Sequence, residues 1–194
     1  MTDQVSNREL RREMRVLDQT LSMHCFLRDR HKSTSLLVDV ILLGCAVVFN
    51  ATTFARDELF AHFGLSPQNV HYILGVSSVV ALFASLIGLR TDWKGSAARH
   101  HDATQRLTKA LALFKQLRQS DGDWPQERTA DLKTAYWEAM NNVSEIPSAQ
   151  FIRLKARHLR KVEISRMLDT RPGCPILLLR IILFFRSVSV RKQA

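Results

Sequence analysis

Two uninterrupted apolar blocks constrain this chain more than any other feature. Ser35 to Phe54 reads SLLVDVILLGCAVVFNATTF, and Val70 to Leu89 reads VHYILGVSSVVALFASLIGL. As helices, blocks of this length rise ~30 Å, the thickness of a bilayer's hydrocarbon core. Neither contains Lys or Arg, and Asp39 is the one formally charged residue in either. A core helix of a soluble bundle keeps a polar stripe every three or four residues, and these blocks keep none. The expectation is two transmembrane helices, 35–54 and 70–89, joined by a loop over 55–69 that Gly64 and Pro67 break. The first block begins 34 residues into the chain and is followed by charges and a second span. It therefore reads as a span rather than a cleaved signal segment.

Orientation follows from the basic residues that flank the spans. Arg28, Arg30 and Lys32 precede the first, and Arg90, Lys94 and Arg99 follow the second, whereas the loop holds Arg56 beside Asp57 and Glu58. Both termini are expected on the cytosolic side. Cys25, Cys45 and Cys174 have no metal-type spacing, and none lies in the loop, so they read as reduced structural thiols.

The formal net charge is +10, and it is unevenly spread. Residues 1–150 hold 17 Lys and Arg against 16 Asp and Glu, while residues 151–194 hold 11 against two. Arg153, Lys155, Arg157, Arg160 and Lys161 crowd one short stretch of that second part. Such a stretch suits anionic lipid head groups, a phosphorylated ligand, or simple solvation. Nucleic acid is disfavoured, because base-stacking aromatics are not interleaved with the charges. The tail, 171–194, contains PILLLRIILFF from Pro175 to Phe185. Eleven residues are too few to span as a helix, so an interfacial segment or one packed on the helical bundle is expected.

Outside the spans the periodicity is helical throughout. Leu10, Met14, Leu17, Leu21 and His24/Cys25 alternate at four and three residues, a coiled-coil-like stripe that leads from the N-terminal segment, 1–34, into the first span. After the second span Asp92 suits a helix N-cap. Ala103, Leu107, Leu111, Phe114 and Leu117 then share a face. DGDWP, residues 121–125, signals a turn. Leu132, Tyr136, Ala139 and Val143 align on a further helix over about 126–143, and a basic helix starts near Pro147 with Phe151, Ile152, Leu159 and Val162 among its apolar positions. RPGCP, residues 171–175, ends it. No stretch alternates with period two. The expected fold is all-α, a two-helix transmembrane hairpin with a cytosolic helical bundle over 90–170 and no sheet.

Catalytic signatures are missing. There is no glycine-rich phosphate loop, HExxH, GxSxG or CxxC. His100, His101 and Asp102 are adjacent, but neighbours on a helix point in different directions. The reading is a non-enzyme with no catalytic residue, no cofactor and no metal.

Chemistry is then sought in the spans, where an ionisable residue is expensive and therefore informative. Asp39, Leu43, Ala46, Asn50 and Thr53 fall on one face of the first span and form a candidate pore lining, should several copies assemble. Asp39 is near the span's start, where Lys32 and the head groups offer a local partner, and Asn50 and Thr53 are near the opposite end. In the second span Ser77, Ala81 and Ser85 repeat every four residues, with Ala84 and Gly88 beside them. Small residues at that spacing let backbones approach closely, within the hairpin or between subunits.

This layout resembles the SMODS and SLOG-associating two-transmembrane effector (SLATT) domains of bacteria. The resemblance rests on the hairpin, on Trp93 and the helix of residues 97–119, and on Pro147, Phe151, Leu154, Lys155 and His158 in a P-x₃-F-x₂-LK-x₂-H pattern. It covers roughly residues 8–170, and the tail after Pro172 lies outside it. The resemblance implies an effector of an antiphage system in the bacterial inner membrane. On an infection signal from an upstream sensor or nucleotide-producing enzyme, it would assemble as a homo-oligomer among membrane lipids and open a pore. The alternative is a non-conducting two-span anchor that recruits a partner protein through its cytosolic helices.

Overall fold

In a computed structural model, residues 2–54, 66–118 and 124–190 are described. Most of the loop expected over 55–69, part of the 121–125 turn and the end of the tail lie outside the described residues. Among those described there is no strand. Six α-helices are present: α1 Thr2–Phe54, α2 Pro67–Arg90, α3 Trp93–Leu117, α4 Thr129–Asn141, α5 Ser148–Thr170 and α6 Ile176–Val190. A short 3-10 turn, Gln126–Arg128, leads into α4. The chain divides into two compact units, Met1–Met23 with Leu107–Ala194, and His24–Arg106. The division falls inside α1 and α3 rather than at the ends of the apolar blocks.

The first unit is built on the stripes legible in the sequence. Leu10 and Leu17 of α1, Leu107, Leu111 and Phe114 of α3, Trp124, and Leu132 and Ala139 of α4 form its buried core, with Met14, Leu21, Tyr136 and Val143 packed at its margin. Fully burying a large apolar side chain contributes roughly 1.5–3 kcal/mol, so this cluster is the main source of the unit's stability. Trp124 closes it. Its ring meets Phe114 edge-on at 6.2 Å, and its indole N–H donates to the Phe114 carbonyl at 2.9 Å. The polar end of the ring is thus satisfied inside the core. Exposed ties are few; Lys133 reaches Glu9 at 2.9 Å.

Helix α5 departs from the sequence reading. Phe151, Ile152 and Leu159 are exposed, and the buried pair is Leu154 and His158. An i, i+4 pair lies on one helix face. Ala156, Val162, Ile164, Met167 and Leu168 of the same helix are half-buried. Arg171 ends α5, its N–H donating to the Met167 carbonyl. The tail segment forms α6, where Leu179 is buried while Ile176, Leu177, Leu178, Ile181 and Ile182 are exposed.

The second unit carries the two apolar helices, and only 6% of each apolar window is buried within the chain. Helix α2 starts three residues before the apolar block. Pro67 suits the first helical position, and Ser66 caps by accepting from the Asn69 N–H at 3.3 Å. It ends with the Thr91 N–H on the Ile87 carbonyl. Two residues later α3 begins, with Asp92 Oδ1 accepting from the Gly95 N–H at 2.8 Å. A Cβ on Gly95 would meet that carboxylate, so a larger residue there would make the Asp92 side chain shift.

Candidate functional site

Within the second unit, α1 and α2 each bear one less-exposed stripe. On α2 it is Leu74, Ser77, Ala81, Ala84 and Gly88, spaced at three and four residues; on α1 it includes Val38, Leu42, Cys45, Phe49 and Thr52. A Cβ added at Gly88 would lie 3.9 Å from Val38 Cγ1, so the stripes meet at this end. Four of the five small residues singled out from the sequence are on the sheltered stripe. Ser85 is not; it is exposed.

The candidate pore-lining residues are each one position further along α1, about 100° round the helix from the sheltered stripe. Asp39, Leu43, Ala46, Asn50 and Thr53 are all exposed. Asn50 Nδ2 donates to the Ala46 carbonyl at 2.8 Å, and Thr53 Oγ1 to the Phe49 carbonyl at 2.8 Å. Asp39 is paired, and its partner is Lys94 at 3.0 Å rather than Lys32. Both side chains are at least half exposed, so in water the pair would contribute only ~0.2–1 kcal/mol.

Sequence reasoning missed a histidine cluster formed by residues before the first apolar block and after the second. His24 of α1 is fully buried. Its Nδ1 is 2.9 Å from His100 Nδ1 on α3, and His31 stacks on His100 with centroids 5.7 Å apart. One of the two facing nitrogens donates its N–H and the other accepts, so at least the accepting ring is neutral. Burial, with the neighbouring His100, depresses the His24 pKa to about 4. His100 and His31 are depressed by burial too, with cationic Arg99 near both and Arg30 near His31. The signal was available: His24 continues the Leu10–Leu21 stripe and was bound to be buried. The pairing needed the register of α3. Among the described residues no group of three His, Cys, Asp or Glu side chains is disposed to hold a metal ion.

On α5, Arg153, Lys155, Arg157, Arg160 and Lys161 are all exposed. Arg160 Nε donates to the Ala156 carbonyl of its own helix at 3.4 Å, and Lys161 lines a small cavity beside His158.

Two helices of this chain are long and apolar enough to cross a membrane, and their apolar side chains face outward. No protein-family model, curated protein or solved structure matches the chain.

Proposed function

We propose that the chain is a two-span membrane protein whose hairpin assembles with further copies into a pore, in the manner of the bacterial antiphage effectors it resembles. The observation that carries this reading is the outward-facing stripe Asp39, Leu43, Ala46, Asn50 and Thr53. Carboxylate, amide and hydroxyl groups are costly against lipid, so they face protein or water in a membrane. The sheltered small-residue stripe supports a closely packed hairpin, which leaves the polar face for a second copy or an aqueous lumen. Basic residues at the outer ends of both spans favour cytosolic termini in the bacterial inner membrane. An infection signal from an upstream sensor or nucleotide-producing enzyme would favour the open assembly by binding it more tightly than the closed one.

The test is membrane potential in bacteria after induced expression, read with a voltage-sensitive dye. Wild-type protein depolarises the cells, and Asp39→Ala or Asn50→Leu weakens the response while membrane insertion is retained. Equal ion flux in wild type and both variants would remove the polar stripe from the mechanism.

A second reading, a non-conducting anchor or adaptor, is favoured by the Asp39–Lys94 pair and by the back-bonding of Asn50 and Thr53. These contacts satisfy the polar groups within one chain. In that case expression is non-toxic, and neutralising Arg153, Lys155, Arg157, Arg160 and Lys161 abolishes recruitment of the partner protein.

A further inference from the structure

The first unit holds an open groove that the basic stretch of α5 does not explain. Its volume is about 950 Å³, at the upper end of the range for small-molecule sites. Three helical stripes converge on it: Arg11, Arg12 and Arg15 from α1, Lys115 from α3 with Arg118 just beyond it, and Arg166 from α5. Asp18 is the single carboxylate among the lining residues. Arg12 and Lys115 have no ion-pair partner among the described residues. The lining between the charges is apolar, with Met14, Leu111 and Val162, and Trp124 at one side under the Arg118 guanidinium.

His158 lies where this groove meets a smaller cavity of about 260 Å³, whose lining adds Ser22, Ser165 and Lys161. The ring is nine-tenths buried. Its Nε2 is 4.0 Å from Asp18, and its buried Nδ1 has no hydrogen-bond partner.

Six cations and one carboxylate line the groove, Arg166 also reaching Glu163 at 3.9 Å, and gathering like charges on one surface costs the folded state self-repulsion. The core does not need these charges, because its buried residues are apolar and Leu111 and Trp124 alone of them reach the groove. Guanidinium groups present fixed forks of donors that match phosphate oxygens. We infer that this groove is a binding site for a phosphate-bearing ligand with an apolar body. The guanidinium and ammonium groups take the phosphate, and Met14, Leu111 and Val162 take the apolar part. The same chemistry is found in a soluble phosphate ester and in the head group of an anionic lipid. The site is independent of whether the spans conduct.

The test uses the full chain. Inorganic pyrophosphate is titrated against protein in an uncharged detergent at fixed ionic strength, with thermal stability and tryptophan fluorescence as readouts. In parallel, the protein is placed in nanodiscs of phosphatidylcholine with or without phosphatidylglycerol. Two triple variants carry the same charge change: Arg15→Gln with Lys115→Gln and Arg166→Gln inside the groove, and Arg153→Gln with Lys155→Gln and Arg160→Gln outside it. All six side chains are exposed, so both triples keep the wild-type circular dichroism.

Saturable stabilisation by either probe is expected, with affinity lowered about ten-fold or more in the groove triple and within about two-fold of wild type in the control. A response to pyrophosphate identifies a soluble phosphate ester as the ligand; a response to phosphatidylglycerol alone identifies a lipid head group. Stabilisation by neither probe, or equal loss in the two triples, overturns the assignment, the latter because it reduces the effect to net charge.

Discussion

Acid should loosen the second unit through His24. The ring is fully buried, donates to or accepts from His100 at 2.9 Å, and has its pKa depressed from 6.5 to about 4. A base whose folded pKa is lowered binds fewer protons folded than unfolded. Its contribution is therefore complete above the unfolded pKa and is lost as pH falls from about 6.5 towards about 4. At about 1.36 kcal/mol per pKa unit, the ceiling is roughly 3 kcal/mol. Relaxation of the surroundings around a charged ring lowers this, and about half is a fair expectation. Between pH 7.5 and 5 the loss is then about 1 kcal/mol, or ~2–4 °C in Tm for a chain of this size. His31 and His100 shift in the same direction and add to it. The measurement is thermal unfolding of the detergent-solubilised chain at the two pH values, for wild type and for His24→Phe, which fills the site and cannot titrate. The pH-dependent drop should shrink in the variant. His100→Gln provides the same comparison should His24→Phe fail to fold. A drop unchanged in both variants would refute the reasoning and move acid sensitivity to the carboxylates.

Other expectations follow from packing and caps. Asp92→Ala removes the carboxylate that caps α3 and should cost about 1 kcal/mol, read by thermal unfolding; a Tm equal to that of wild type would dissolve the cap argument. Leu17→Ala should cost ~2–5 and Phe114→Ala ~3–5 kcal/mol, read by urea unfolding followed by circular dichroism. Gly88→Leu, on the sheltered stripe against Val38, should lower yield and thermal stability in detergent, while Ser85→Leu on the exposed face should be tolerated. Equal tolerance at both positions would mean that the stripes do not pack.

Much of the fold could be read from spacing. Leu10, Leu17, Leu107, Leu111, Phe114, Leu132 and Ala139 were aligned by period alone, because a helix with one apolar face has one way to bury it. Trp124 was taken as part of a turn. Its burial depends on the carbonyl of Phe114, ten residues earlier, and no local pattern encodes that contact. On α5 the apolar positions misled, since the helix has too few of them to define a face, and His158 took a core position ordinarily given to an aliphatic residue. The basic groove was invisible for a different reason. Residues 1–150 are almost neutral in total, and only the packing of α1, α3 and α5 separates Arg11, Arg12, Arg15 and Lys115 from the acids that balance them in the count.

The joint between α2 and α3 has a mechanical meaning. Two residues, Thr91 and Asp92, connect them, and the Thr91 N–H, the Trp93 N–H and the Asp92 carboxylate are all engaged there. So short and so thoroughly bonded a link stores no slack. Any rotation or axial shift of the second apolar helix is handed to the first turn of α3, and from there to the Lys94–Asp39 pair and the His100 ring. With the apolar helices in a bilayer, as proposed, a displacement begun there would register in the charges and protons at their ends, with no compliant spacer to absorb it.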